Sequence, residues 1–262
     1  MSGATYMDDT VIRIEDAAVS YREDVALRGV SLEVRRGEFV GIIGPNGAGK
    51  TTLLTVLNGL GKLVHGRAWV LGGSVNGRNT INLRKRIGYV AQVQNIDPRL
   101  PINVRETVMA GCYGRLGLFR RPKTSQWQAV DNVLQMVGIA HLARRPIGHL
   151  SGGEYQKAAI ARALIQQPEI FLLDEPTASI DPQAQREIMS LVQLIHKEYD
   201  MTTLLVTHDL KQLPSICNRL LLMKEGWIWG QGSPASMLRE EVLSELYGSP
   251  MSVTTETTLR YS

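Results

Sequence analysis

Cysteine is almost absent from these 262 residues. Cys112 and Cys217 stand far apart and outside any CxxC spacing, which excludes a disulfide framework and a thiolate zinc site and reads as reduced, cytosolic thiols. Long apolar runs are missing too: none approaches the roughly 18 residues of a membrane span. The opening MSGATYMDDT has neither the basic start nor the apolar run of a signal peptide, so the chain is expected to be soluble by itself. Charge of one sign is also scarce. The 29 basic and 25 acidic residues are interspersed, and a net charge of +4 without basic blocks gives no reason to expect nucleic acid as a partner. No cluster of His, Cys and Asp has metal-ligand spacing, and no internal repeat is evident.

Apolar residues make up 44% of the chain, enough for an ordinary core. One α/β domain over residues 1–248 is expected, with a disordered tail at 249–262 that is poor in apolar groups and rich in hydroxyls. VIRIEDAAVSY (11–21) and SLEV (31–34) alternate like half-buried strands, with REDVALRG between them read as turn and loop, so an antiparallel region opens the fold. EFVGIIG (38–44) is nearly all apolar and runs through a glycine-rich turn into the helical pattern TTLLTVLNGL, a buried parallel strand feeding a helix. AWVLGGSV (68–75) and RIGYVAQ (86–92) are further strand candidates. Helical spacing then takes over, with Trp127, Val130, Val133, Leu134 and Val137 on one face, so a helical insertion is expected over about 95–165. IFLLDEP (170–176) and TTLLVTHD (202–209) return to apolar strands, separated by the helical QAQREIMSLVQLIHKEY.

GPNGAGKT (44–51) fits G-x-x-x-x-G-K-[ST] between a strand and a helix, the context that motif needs. Gly44, Gly47 and Gly49 let the backbone of Gly44, Pro45, Asn46, Gly47, Ala48 and Gly49 curl so that its N–H groups cradle phosphates at a helix start. Lys50 would reach the β- and γ-phosphates, Thr51 would ligate Mg2+ through its hydroxyl, and Thr52 completes the loop. Asp174, ending an apolar strand, suits a second oxygen near the magnesium, and Glu175 suits a carboxylate that deprotonates the attacking water. ATP and Mg2+ are therefore the expected cofactors. In HLSGGEYQKAAIARA (149–163) a helix starting after Ser151, Gly152 and Gly153 offers a second set of free N–H groups to an anion. Two such sites so far apart need not face one nucleotide. They become one site if two copies pair head to tail.

LSGGEYQKAAIARAL, GPNGAGKTT and FLLDEPTASID together resemble the nucleotide-binding subunit of an ABC transporter over roughly residues 11–240. The resemblance implies a P-loop NTPase core with a mainly parallel sheet, an N-terminal antiparallel β subdomain and a helical signature subdomain. It implies that Tyr21 stacks on adenine, that Gln92 contacts magnesium or water and relays nucleotide state, and that Ser179, Ile180 and Asp181 cross a homodimer interface. His208 would contact the γ-phosphate, and the signature Ser151, Gly152 and Gly153 would act in trans. Gln94 is a nearby alternative to Gln92, and His65, His141, His149 and His196 carry no comparable motif. Glu154 and Lys157 depart from the family's glutamine and arginine, which places an acid near a phosphate site.

The same resemblance implies an ATPase on the cytoplasmic face of the membrane, docked on integral permease subunits and served indirectly by an external substrate-binding protein. QNIDPRLPINVRETVMAGCYGRLGLFRRP (94–122) resembles the subfamily that energises import of manganese, zinc or iron, with Cys112 where that subfamily usually has arginine. A siderophore or cobalamin importer stays open as a second reading. Soluble ABC ATPases of repair or translation would bring heptad arms, zinc-binding cysteine pairs or tandem nucleotide domains, and a non-hydrolysing scaffold would not need Glu175 and His208.

Overall fold

The computed structural model describes residues 9–21, 24–76, 80–92, 97, 99–117 and 120–249. It opens with β1 (Thr10–Tyr21) and β2 (Asp24–Arg35), an antiparallel pair. The segment expected as loop is therefore mostly strand, since Tyr21 pairs with Asp24 and only residues 22–23, outside the described set, lie between the two. Gly29 and the flanking charges read as a turn, yet Gly29 sits inside β2 at φ +73° while Leu27, Val30, Leu32 and Val34 are buried along it.

β3 (Phe39–Ile43) leads through the glycine-rich loop into α1 (Lys50–Leu57). β4 (His65–Val70) and β5 (Gly73–Ser74) follow, so the strand expected over 68–75 is two strands folded at Leu71 and Gly72, both left-handed. Then come α2 (Thr80–Arg84) and β6 (Ile87–Val90). The helical stretch comprises α3 (Val104–Ala110), α4 (Tyr113–Leu116), α5 (Thr124–Met136) and α6 (Gly152–Leu164). On α5, Val130 and Leu134 are fully buried and Trp127 and Val133 partly so, the face that the apolar spacing marks out. The chain returns through β7 (Ile170–Asp174), α7 (Pro182–Tyr199) and β8 (Thr202–Val206). It ends in β9 (Arg219–Lys224), β10 (Trp227–Gly232), α8 (Pro234–Met237) and α9 (Glu240–Tyr247). Gln94 and nearly all of the expected tail lie outside the described residues.

Four strands form an antiparallel sheet in the order β2-β1-β4-β5, and six form a second sheet in the order β10-β9-β3-β8-β7-β6, parallel except for β10. Side chains alternate across a strand, so β3 sends Phe39 and Ile43 to one face and Val40 and Ile42 to the other. The first pair joins a core with Phe171, Leu173 and the apolar sides of α3, α5, α6, α7 and α9. The second joins Leu172, Leu204, α1 and the antiparallel sheet. Both faces of the parallel sheet are covered, which is why β3, β7 and β8 are buried throughout and carry consecutive apolar residues rather than an alternation. Four parallel neighbours, β3, β8, β7 and β6, consequently end at one edge of the sheet, where an open α/β fold places its ligand. No described helix is long and apolar enough to cross a membrane.

Candidate functional site

A hollow of about 840 Å³ opens at that edge, lined by residues 44–52 with Ala26, Gln92, Glu175, His208 and Tyr247. The loop at its floor depends on glycine. A Cβ on Gly44 would stand 2.0 Å from the Met223 carbonyl oxygen of β9, and one on Gly49 (φ +93°) would stand 2.5 Å from that of Ala26. Lys50 is buried and folds back on the loop, its Nζ donating to the Gly44 and Pro45 carbonyl oxygens at 2.8 and 2.9 Å. Burial lowers its pKa, while Glu175 and Asp174 pull it back up.

Thr51 Oγ1 donates to Asp174 Oδ1 at 3.1 Å, and the Tyr89 hydroxyl donates to Asp174 Oδ2 at 3.2 Å. Asp174 is only 1% exposed. Burial raises its pKa; the hydrogen bonds from Thr51 and Tyr89 oppose that rise, Glu175 adds to it and Lys50 counters it. Glu175, held at φ +46°, receives Gln92 Nε2 on Oε2 at 3.2 Å, and His208 Nδ1 lies 3.2 Å from the same oxygen. The structure thus brings Lys50, Thr51, Glu175, Gln92 and His208 into one hollow, with the buried Asp174 hydrogen-bonded to Thr51.

The donors suit a small hard cation. Thr51 and Asp174 offer oxygen only, and adjacent corners of an octahedron with bonds of about 2.05 Å are about 2.9 Å apart, close to the 3.1 Å between Thr51 Oγ1 and Asp174 Oδ1.

Other candidates lie elsewhere. Tyr21, 52% exposed at the end of β1, is not part of the lining. Nor are Ser151, Gly152, Gly153 and Asp181. Ser151 caps α6: its Oγ accepts from the Glu154 N–H at 3.3 Å, and the Glu154 carboxylate returns to the Ser151 N–H at 2.8 Å, a capping box. The bond to the Ser151 N–H is the largest cause of the lowered pKa of Glu154; burial opposes it, and the Ser151 side chain, Arg145 and His141 add smaller lowering. Lys157 Nζ bonds Glu187 Oε2 at 2.7 Å, tying α6 to α7. A Cβ on Gly152 would stand 2.8 Å from Ile180 Cγ2, and one on Gly153 2.7 Å from Ala184 Cβ, so both glycines admit close packing beside Ser179–Asp181. Asp181 caps α7, accepting from the Gln183 and Ala184 N–H groups at 3.0 Å each.

Ala26 and Tyr247 are lining residues that sequence reasoning missed, since neither belongs to a motif and both reach the hollow through tertiary packing. Leu243 and Leu246 are fully buried and seat α9 on the core, and Lys224 Nζ donates to the Glu245 carbonyl at 2.9 Å. Burial raises the Tyr247 pKa, against a facing N–H of Gly44. A second hollow, of about 410 Å³, lies on the antiparallel sheet beside Arg13, Glu15 and Arg67. Its charges are already paired, Arg67 with Glu15 at 3.2 Å and Arg13 with Glu33 at 3.0 Å.

Residues 27–178 match the ABC transporter family model. The chain is 35% identical to the ferric enterobactin transport ATP-binding protein FepC of Escherichia coli K12, covering 92% of this chain and 89% of that protein. It is 37% identical to the manganese transport system ATP-binding protein MntB of Bacillus subtilis 168, covering 81% and 82%. The dimeric structure of MJ0796, a bacterial ABC transporter cassette, superposes with a TM-score of 0.75 at 27% identity, covering 85% of this chain and 98% of that one. With its glycine-rich loop and carboxylates at the edge of a parallel sheet, the chain belongs to the ABC transporter family, as an ATP-binding subunit and an ATPase.

Proposed function

We propose that this chain powers import of a divalent metal ion, manganese, zinc or iron, from the cytoplasmic face of the membrane, where it docks on integral permease subunits served by an external substrate-binding protein. The observation that carries the ATP-driven part is the convergence of Lys50, Thr51, Glu175, Gln92 and His208 on one hollow, with Asp174 bonded to Thr51. Likeness to a manganese-system ATPase and the 94–122 segment support the cargo. Likeness to the enterobactin-system ATPase over 92% of the chain favours a ferric siderophore as the second reading.

In this reading the whole of 1–248 acts as one ATPase domain. Lys50 leaves the Gly44 and Pro45 carbonyls for the β- and γ-phosphates, and the loop amides hold the remaining phosphate oxygens. Thr51, Asp174 and Gln92 would hold magnesium, which would supply charge neutralisation to the phosphates. Glu175 accepts the proton of the attacking water while His208 keeps that carboxylate and the γ-phosphate in line. Ser151, Gly152 and Gly153 lie off the hollow of their own chain, which supports a head-to-tail homodimer in which they close on the partner's ATP and Asp181 crosses nearby. Tyr21 stacks on adenine at the outer rim.

The test is uptake in cells that contain the chain with its copurifying permease, comparing wild type with Lys50→Ala. Loss of Mn2+, Zn2+ or Fe2+ uptake with ferric-siderophore uptake intact is expected. The reverse pattern overturns the metal-ion reading in favour of the second.

A further inference from the structure

The end of β6 brings two side chains to two neighbouring carboxylates. Tyr89 donates to Asp174 Oδ2 at 3.2 Å and, three residues on, Gln92 donates to Glu175 Oε2 at 3.2 Å. Strand register places the first contact: Tyr89 lies opposite Leu172 of β7, and Asp174 is the next residue of β7 on the face that Leu172 shares. Asp174 is almost fully buried, so water does not set the plane of its carboxylate. Two hydroxyls do, Thr51 on Oδ1 and Tyr89 on Oδ2. They differ in stiffness. A threonine hydroxyl turns freely to suit a ligand, whereas a tyrosine oxygen goes only where a rigid ring, here half-buried in a paired strand, directs it.

We propose that Tyr89 is a positioning residue of the metal-nucleotide site, its O–H pinning Oδ2 of Asp174 so that Oδ1 stays turned toward Thr51 and the cation they would share. The proposal rests on the reading of Thr51 and Asp174 as magnesium oxygens. Tyrosine suits the task because its hydroxyl reaches Asp174 Oδ2 from a rigid, half-buried ring and has a proton to donate there. Phenylalanine at 89 would keep the ring and its packing while leaving one buried carboxylate oxygen without its partner.

The test uses the full-length chain with Mn2+ as a spectroscopic probe, titrated by electron paramagnetic resonance in the presence of a non-hydrolysable ATP analogue. Binding of the same analogue in EDTA is measured alongside. Tyr89→Phe is expected to weaken Mn2+ by about tenfold, the scale of one hydrogen bond to a charged group. Metal-free nucleotide binding should not move, while the thermal midpoint falls modestly because one buried carboxylate oxygen loses its donor. Mn2+ affinity within about twofold of wild type overturns the proposal, as does a parallel loss of metal-free nucleotide binding, because either removes any specific action on Asp174. Asp174→Asn separates the two levels of inference: if it weakens Mn2+ and Tyr89→Phe does not, only the role of Tyr89 falls. If Asp174→Asn leaves Mn2+ binding intact, the magnesium reading itself falls.

Discussion

Replacing Glu175 by Gln removes a proton acceptor at the centre of the hollow and changes little else. Oε2 of Glu175 accepts from Gln92 Nε2 at 3.2 Å and faces His208 Nδ1 at 3.2 Å, and a glutamine carbonyl oxygen in that place has two lone pairs for the same two neighbours. The side chain is 15% exposed, so the isosteric amide fits where the carboxylate was. What disappears is the capacity to take a proton from water. General-base catalysis contributes about 10²- to 10⁴-fold, which at about 1.36 kcal/mol per decade is about 2.7 to 5.4 kcal/mol of barrier. Steady-state turnover at saturating ATP and magnesium should fall by about that factor while ATP affinity stays within about twofold, and a nucleotide-bound dimer should accumulate on gel filtration. Turnover within about threefold of wild type would refute the assignment of Glu175 as base. Loss of ATP binding would refute the argument that the local geometry survives the change.

Gln156 is fully buried in α6 with neither amide atom hydrogen-bonded, so Gln156→Met should stabilise the chain by about 1 to 3 kcal/mol in a urea melt, and a lower midpoint would show that the amide is satisfied in solution. Tyr247→Phe keeps the ring in the wall of the hollow but drops the hydroxyl facing the Gly44 N–H; the KM for ATP should rise about two- to tenfold at an unchanged thermal midpoint, and an unchanged KM would remove Tyr247 from the site. Glu169 bonds Arg86 through both oxygens, at 2.5 and 2.9 Å, and that guanidinium, with Arg36 adding less, holds its carboxyl below the usual value against burial. A depressed folded pKa contributes stability above the unfolded value of about 4.3 that is lost as pH falls through the folded value. The stability difference between wild type and Glu169→Gln should therefore be full at pH 7, at about 1 kcal/mol or less for so exposed a pair, and vanish in acid. A difference that grows toward low pH would contradict the sign.

The parallel core was legible because burial on both faces leaves consecutive apolar residues in β3, β7 and β8, and each strand leads within two positions to a motif residue, Gly44, Asp174 or His208. The start of β2 was not. Its alternation is interrupted by Gly29 and by charged residues on the open face, and the pairing of Tyr21 with Asp24 is a tertiary fact that local chemistry does not encode. β9, β10 and α9 carry no motif and went unassigned, although β9 supplies the Met223 carbonyl that requires glycine at 44, and α9 supplies Tyr247. Motif spacing marked the 44–52 loop and Glu175, and the family resemblance marked Gln92 and His208, but neither gave their hydrogen bonds. That Lys50 rests on Gly44 and Pro45, or that Tyr89 holds Asp174, follows from how strands register.

The acid at position 154 is the departure that most threatens a phosphate-facing signature, and the capping box changes its meaning. The Glu154 carboxylate is committed to the Ser151 N–H at 2.8 Å, with Arg145 at 3.6 Å, so its charge is directed back onto its own helix. Ser151 gives the cap only a lone pair, since its Oγ accepts from the Glu154 N–H. A serine hydroxyl has two acceptor sites and one proton, and the proton is the part that a phosphate oxygen needs. The cap and a phosphate contact in trans therefore draw on different halves of the same hydroxyl. Glu154→Gln, which can still accept from the Ser151 N–H, should preserve the helix start and remove only the charge. If the charge were facing the partner's phosphate, that variant would tighten the ATP-bound dimer sharply; directed at the cap and Arg145, it should shift dimer affinity by no more than about threefold, the scale of an exposed, partly compensated charge. Equilibrium sedimentation of wild type and variant with ATP, each on a Glu175→Gln background, distinguishes the two, and a sharp tightening would return the acid to the phosphate.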